Sequence, residues 1–200
     1  MLPLPGNRDK LRIGLLGGSF NPAHEGHRHI TLAALRLLRL DRVWWMVSPQ
    51  NPLKPAAGMA PYAERLEAAA RLARHPRIEV SDIEARLGTR YTVDTLRALK
   101  RRYPLTRFVW LMGADNLIEI PRWRDWTGIF TRVPIAVFNR NSYSFKALAG
   151  AAARRYRSGR VGVKAAPTLA ERTPPAWIYL PIVAHEAAGS EIRAHGKRQS

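Results

Sequence analysis

The residues that could carry chemistry in this chain stand together in one short run, Gly17–His27, which reads GGSFNPAHEGH. Gly17 and Gly18 would let the backbone approach a ligand closely, because glycine has no Cβ. His24 and His27 follow at a place where a helix is expected to begin. A helix start offers unpaired N–H groups and the positive end of the helix dipole, both of which favour phosphate. The run therefore predicts chemistry on a nucleotide phosphate.

Better-known motifs built from the same residue types do not fit this run. It contains no GxxxxGK[ST] phosphate loop, and its glycines, together with Gly14, do not follow the dinucleotide spacing GxGxxG. His24 and His27 stand one residue closer than the ligands of HExxH, and Gly26 is expected to interrupt the helix that would hold both on a zinc ion. The chain has no cysteine, which excludes disulfides and thiolate metal sites. No set of metal ligands is therefore predicted.

Strand-like and helix-like segments alternate along the chain, and this alternation places the run at one edge of a sheet. Six apolar runs read as strands: 11–16, 42–48, 77–83, 107–112, 134–138 and 177–180. Alternation of this kind predicts an α/β fold, a Rossmann-like parallel sheet with helices on both faces. Ligands of such sheets bind beyond the carboxyl ends of the strands, at the switch point of the strand order. The glycine run follows the first strand and falls at that edge.

Three helices are predicted between these strands. The first spans 27–40, the second begins at Pro61, and the third begins at Thr92, whose hydroxyl could cap it. The second helix has an apolar stripe that is expected to be buried, formed by Tyr62, Leu66, Ala69, Ala70 and Ala73.

The run GGSFNPAHEGH resembles the signature of the HxGH nucleotidylyltransferases, and within them the GG[ST]F[ND]PxHxGH of the bacterial nicotinate-nucleotide adenylyltransferases. The resemblance implies a nucleotidylyltransferase-type fold and adenylyl transfer from ATP to nicotinate mononucleotide, giving deamido-NAD and pyrophosphate in NAD biosynthesis. It implies direct in-line attack, in which His24 and His27 stabilise the phosphates as charge moves onto their oxygens. The implied ATP contacts are Gly17, Gly18, Ser19 and Phe20, and Asn21 would face the mononucleotide.

Further segments resemble the nicotinate branch of this family: SPQNPLKP, RYTVDTL, GADNL and RWRDW. The resemblance implies that Asp115 accepts hydrogen bonds from ribose hydroxyls and that Trp123 stacks on the nicotinate ring. Trp126, in contrast, is expected to pack in the core. The full set of implied mononucleotide contacts outside the glycine run is Lys54, Thr92, Gly113, Asp115 and Trp123.

The carboxyl end departs from the family pattern. Where the family has an ISSTxIR-like helix start that meets the triphosphate, this chain reads AAGSEIR. Ser190 and Arg193 keep one hydroxyl and the arginine, and are predicted to contact ATP; the alternative is a helix cap and a surface arginine. Ala188 lacks the other hydroxyl, and Glu191 adds a negative charge. The family also runs further than Ser200. Because of these departures, one alternative is that the chain is a weakly active or inactive relative that binds nucleotide or nucleic acid. Because related enzymes share the signature, another alternative is a nucleotidylyltransferase with a different acceptor.

Composition limits the remaining possibilities. The 200 residues predict a single domain, 1–200, with flexible ends at 1–10 and 194–200. No signal peptide or apolar run of about 20 residues is present, so a cytoplasmic protein without membrane contact is expected.

The net charge of +18 would attract ATP and nicotinate mononucleotide. Its basic residues are scattered, which disfavours a dedicated nucleic-acid function. Mg²⁺ is the expected cofactor, held mainly by ATP phosphates and water. A homo-oligomer is compatible with the sequence, which does not specify one.

Overall fold

The computed structural model describes residues 10–50, 58–139 and 144–182, and within these a single parallel sheet forms the centre of the molecule. Its seven strands follow the order β3-β2-β1-β4-β5-β7-β6, and every neighbouring pair is parallel. The bounds are β1 (Arg12–Gly18), β2 (Arg42–Val47), β3 (Ile78–Ser81), β4 (Arg107–Gly113), β5 (Ile135–Phe138), β6 (Arg160–Val161) and β7 (Trp177–Leu180). The α/β parallel architecture is confirmed. β6 was not predicted, because two residues carry no periodic signal.

Helices cover both faces of the sheet, as predicted. One face packs on α1 (Glu25–Leu37) and α2 (Tyr62–Leu72), and on the 3-10 helix Val163–Glu171. The other face packs on the remaining helices, α3 (Ile83–Leu87), α4 (Thr92–Arg102), α5 (Ala114–Glu119), α6 (Trp126–Arg132), α7 (Ser144–Leu148) and α8 (Ala151–Arg155). Two further 3-10 turns are Ile120–Arg122 and Arg157–Gly159. None of the helices in the described ranges has the length and apolar character needed to cross a membrane.

The centre of the sheet is also the switch point of its strand order. β1 lies between β2 and β4, with Gly18 paired to Val47 on one side and Leu16 to Leu111 on the other. The chain leaves β1 toward β2 and later returns on the opposite side as β4. A crevice is expected where connections diverge in this way, beyond the carboxyl ends of β1 and β4. The glycine run therefore lies at the position where parallel sheets bind ligands.

Three details of the predicted helices were wrong. α1 begins at Glu25, and Gly26 lies inside its first turn rather than interrupting it, because packing on the sheet outweighs the weak helix propensity of glycine. Thr92 does not cap α4: Tyr91 is the N-cap, with extended backbone, and Thr92 is the first helical residue. On α2, Ala70 is exposed and Arg65 is buried instead, since Arg65 lies one turn before Ala69 on the inner face.

Candidate active site

The turn after β1 has a steric requirement for glycine at one position. A Cβ on Gly17 would lie 2.5 Å from Cη2 of Trp110, whose indole packs directly beneath it from β4. A Cβ on Gly18 would lie 3.5 Å from the Phe20 ring, which is an ordinary contact. Phe20 itself has a φ of 47° and its ring is buried, so it could meet a ligand only through its backbone. The turn therefore presents backbone, with Ser19 also buried, at the end of β1.

His24 and His27 stand together at the start of α1. His24 is the N-cap, and the two ring centroids are 3.8 Å apart. The backbone N–H of His24 donates to Nδ1 of His27 over 3.2 Å, and the backbone N–H of His27 donates to the carbonyl of His24 over 2.9 Å. Because Nδ1 of His27 accepts a hydrogen bond, its ring proton resides on Nε2. This arrangement makes His27 a hydrogen-bond donor through Nε2, at the positive end of the α1 dipole.

A buried set of contacts holds His27 in place from below. The Phe20 ring lies 4.6 Å from the His27 ring and stacks on Trp45 at 5.2 Å. The indole N–H of Trp45 donates to the Thr31 hydroxyl at 2.7 Å, and that hydroxyl donates to the His27 carbonyl at 2.8 Å. Both the ring and the backbone of His27 are thus fixed by side chains of the core. Fixed donors of this kind are the type that stabilises developing negative charge.

Two side chains connect the glycine turn to neighbouring segments. Asn21 donates through Nδ2 to the Gly58 carbonyl at 3.3 Å and accepts at Oδ1 from the backbone N–H of Ala60 at 3.2 Å. Arg65 reaches up from α2 and donates from Nη1 to the carbonyl of Ser19 at 2.6 Å. The remaining guanidinium bonds of Arg65 go to the carbonyls of Ser48 at 2.8 Å, Pro49 at 2.8 Å and Ala60 at 3.0 Å.

The segments predicted to bind the acceptor meet at the end of β4 and the start of α4. Gly113 ends β4, and half-buried Asp115 lies in the first turn of α5. Half-buried Trp123 packs edge-on against Trp110, with ring centroids 6.4 Å apart. Since Trp110 also lies beneath Gly17, one indole touches both the glycine turn and the predicted stacking residue.

Thr92 and the Trp123 segment are joined by a second contact. Thr92 is half-buried at the first position of α4, next to Tyr91. The Arg124 guanidinium lies over the Tyr91 ring, 4.6 Å from its centroid.

Trp126 packs edge-on against Phe130, with ring centroids 6.0 Å apart, as expected for a core residue.

A buried acid lies close to the start of α4, in the segments predicted to bind the acceptor. Glu84 on α3 is 6% exposed, and burial raises the pKa of its carboxyl to about 7, although hydrogen bonds from Thr95 and Ser48 act in the opposite direction. The Thr95 hydroxyl donates to Oε1 of Glu84 at 3.3 Å and lies 2.8 Å from the Thr89 hydroxyl. Glu84 therefore connects the end of β2, through Ser48, to the first turns of α4.

Three predicted site residues, Lys54, Ser190 and Arg193, lie outside the described residues. In the ranges that are described, no group of three or more His, Asp or Glu side chains is arranged to hold a metal ion.

Arg65, Glu84 and Trp110 were missed as site residues. Arg65 could have been found, since it shares the helical stripe of Tyr62 and Ala69 and a charged residue in such a stripe needs buried partners. Glu84 and Trp110 carried no signal, because their place in the site depends on packing across the sheet.

The sequence and the fold match a known family. Residues 15–193 match the family model described as cytidylyltransferase-like. A protein of Parvibaculum lavamentivorans is 55% identical over 186 residues, which cover 93% of this chain and 92% of that protein. One from Cereibacter sphaeroides is 54% identical over 185 residues, covering 92% of this chain and 98% of the relative. Both are named "Probable nicotinate-nucleotide adenylyltransferase". These two matches span nearly the whole of both chains.

Solved structures agree with the fold. A Plasmodium falciparum nicotinic acid mononucleotide adenylyltransferase complexed with NaAD superimposes with a TM-score of 0.70 at 16% identity, covering 92% of this chain and 83% of that chain. The same enzyme complexed with APC gives a TM-score of 0.68 at 15% identity, with the same coverage. By its family model, its relatives and its fold, the chain belongs to the nicotinate-nucleotide adenylyltransferases, nucleotidyltransferase enzymes of NAD biosynthesis.

Proposed function

We propose that this chain transfers the adenylyl group of ATP to nicotinate mononucleotide, releasing pyrophosphate and forming deamido-NAD. The observation that carries the proposal is the histidine pair at the start of α1, where the backbone N–H of His24 holds His27 with Nε2 as its donor. Relatives named for this activity, at 54–55% identity over most of the chain, support the choice of acceptor.

The chemistry needs no nucleophilic side chain. A phosphate oxygen of nicotinate mononucleotide attacks the α-phosphorus of ATP, and the bond from that phosphorus to the oxygen bridging to the β-phosphate breaks in line. Pyrophosphate leaves with the electron pair. Negative charge grows on the non-bridging and leaving oxygens, so donors fixed in advance lower the barrier. We assign that role to His24 and His27, together with the backbone of Gly17, Gly18, Ser19 and Phe20.

The acceptor is proposed to lie between the glycine turn and the ends of β4 and α4. Trp123 would stack on the pyridine ring with the face that Trp110 leaves open, because Trp110 meets it edge-on. Asp115 would accept from ribose hydroxyls. Asn21, Lys54, Thr92 and Gly113 complete the proposed acceptor contacts, and Ser190 and Arg193 the proposed ATP contacts.

Mg²⁺ is proposed to arrive with the triphosphate. We assign the ion to phosphate oxygens and water, which suits the strong hydration of Mg²⁺. When bound, it would neutralise charge on the triphosphate; this chain's own residues supply the fixed N–H donors. Action in the cytoplasm and the absence of a nucleic-acid role remain predictions.

The test is turnover of the purified protein with ATP, Mg²⁺ and nicotinate mononucleotide, followed by pyrophosphate release and by chromatography of the dinucleotide. We expect equal amounts of pyrophosphate and deamido-NAD. A parallel reaction with nicotinamide mononucleotide measures acceptor choice. ATP binding without pyrophosphate release in either reaction would contradict the proposal and favour a nucleotide-binding relative without turnover.

A further inference from the structure

Arg65 is a buried cation whose hydrogen-bond partners, as found in the described residues, are all neutral. It is 3% exposed, and its guanidinium donates to four main-chain carbonyls. None of the ion pairs found between described residues includes it. Burial lowers the pKa of this guanidinium, which reflects the unfavourable removal of its charge from water. An apolar side chain at this position would avoid that cost, so packing alone does not account for an arginine.

The geometry of the guanidinium does account for it. Its planar fork can serve several carbonyls at once at defined angles, which a lysine ammonium cannot do. The bond to the Ser19 carbonyl is buried and the other three are partly buried, so loss of the guanidinium would leave carbonyls without a hydrogen-bond partner where access to water is restricted. An arginine at position 65 is therefore explained by its ability to bind four carbonyls at once and to fix their relative positions.

The carbonyls belong to three different segments around the site. That of Ser19 lies in the glycine turn, those of Ser48 and Pro49 begin the connection after β2, and that of Ala60 precedes α2. The backbone N–H of Ser48 also donates to the Gly18 carbonyl at 2.9 Å. One planar group therefore sets the separation between the turn that leads to the histidine pair and the connection after β2.

We propose that Arg65 is a positioning residue for adenylyl transfer, which aligns the glycine turn with the connection after β2 so that ATP and its acceptor meet in line. The inference rests on the proposed function and deepens it. Arg65 itself touches neither substrate: its guanidinium faces carbonyls on the inner side of the turn. In-line transfer tolerates little misalignment, since a displacement of about 1 Å can cost about 100-fold in rate.

The test compares Arg65→Lys and Arg65→Gln with Arg71→Lys, a matched control on α2 whose exposed side chain pairs with Glu67. For both Arg65 variants we expect kcat to fall at least about tenfold while each KM stays within about threefold of wild type, as for loss of transition-state alignment. Single-turnover rates with enzyme in excess report the step per folded molecule, so lower stability alone would leave them unchanged. The control is expected to match wild type in both measurements.

Hydrogen exchange supplies a readout that does not depend on turnover. In Arg65→Lys we expect faster exchange in residues 17–23 and 48–50 together, with β5 amides unchanged. If wild type turns over and the Arg65 variants keep its single-turnover rate, the positioning role is wrong and the proposed function stands. If wild type itself is inactive, the proposed function fails. Hydrogen exchange still tests the structural role in that case, because a simultaneous increase in residues 17–23 and 48–50 would show that Arg65 holds these two segments together. Failure of both variants to fold would make Arg65 a residue of global stability and overturn the inference.

Discussion

The backbone N–H of His24 donates to Nδ1 of His27, so the residue that caps α1 also sets the tautomer of the next histidine in the signature. The ring of His27 is left with its proton on Nε2, and the two rings lie 3.8 Å apart. The spacing of the two histidines thus has a local structural reason: residues three apart at a helix start can close reciprocal hydrogen bonds. The pair is organised before any ligand arrives.

Replacing His27 by alanine is expected to lower kcat by about 100-fold or more, the usual cost of losing one fixed donor to a transition-state oxyanion. The measurement is steady-state pyrophosphate release at saturating ATP and nicotinate mononucleotide. His29→Ala, a histidine of the same helix that lies outside the signature, is the matched control and should keep wild-type turnover. Equal rates in His27→Ala and His29→Ala would remove His27 from the mechanism.

Alanine at Gly17 and at Gly18 should have different effects on stability. The Cβ of Gly17→Ala would press on the Trp110 indole at 2.5 Å, and we expect a loss of about 1–3 kcal/mol in the free energy of unfolding, as for overpacking. Gly18→Ala meets Phe20 at 3.5 Å and serves as control, with a change below about 0.5 kcal/mol. Urea unfolding measures both. Equal losses would show that Trp110 does not restrict the turn.

Glu84 should make stability depend on pH. The pKa of its carboxyl is about 7 in the folded protein against an ordinary value of 4.5, so the folded state keeps a proton that the unfolded chain has lost. The free energy of unfolding should therefore fall as pH rises from 4.5 to about 7, by about 3 kcal/mol at most.

Glu84→Gln keeps the shape without the titrating group, and is expected to flatten this profile in urea unfolding between pH 4.5 and 8. Glu67→Gln, at an exposed position on α2, should leave the slope as in wild type. A Glu84→Gln profile with the wild-type slope would assign the pH dependence to other groups.

Loss of the Trp123 ring should weaken binding of nicotinate mononucleotide more than binding of ATP. For Trp123→Ala we expect the KM for nicotinate mononucleotide to rise about tenfold, since stacking of a base on an aromatic ring is worth about 1–3 kcal/mol. The KM for ATP should change less than about twofold, because Trp123 is proposed to contact the acceptor and not ATP. Trp126→Phe, in the core, should leave both KM values near wild type. A matching rise in both KM values for Trp123→Ala would place the ring elsewhere.

The strand pattern and the glycine run could be predicted because their signals are local. Apolar runs typical of parallel strands marked six of the seven strands, and the run GGSFNPAHEGH marked the turn between β1 and α1. Helices of five to seven residues, such as α3 and α6, were missed, since they are too short to show a helical period. Their formation depends on packing against the sheet rather than on propensity.

The supporting residues of the site could not be predicted in the same way. Arg65 is separated by 46 positions from Ser19, to which it is bonded, and Trp110 meets Gly17 only after β4 has paired with β1. Such contacts depend on the order of the strands in the sheet, and no local sequence pattern specifies that order. The Thr92 cap was wrong for a smaller reason: extended backbone at Tyr91 lets the helix begin at Thr92, one residue earlier than the predicted cap implied.

The central place of β1 has a consequence for how this enzyme matures. Its glycine turn takes shape only between β2 and β4, so strands from residue 12 to residue 113 must assemble before the turn is complete. All of these pairings are parallel and join distant parts of the chain, which makes them slow to form. We therefore expect ATP binding to appear late in refolding, in molecules whose β2, β1 and β4 have already paired.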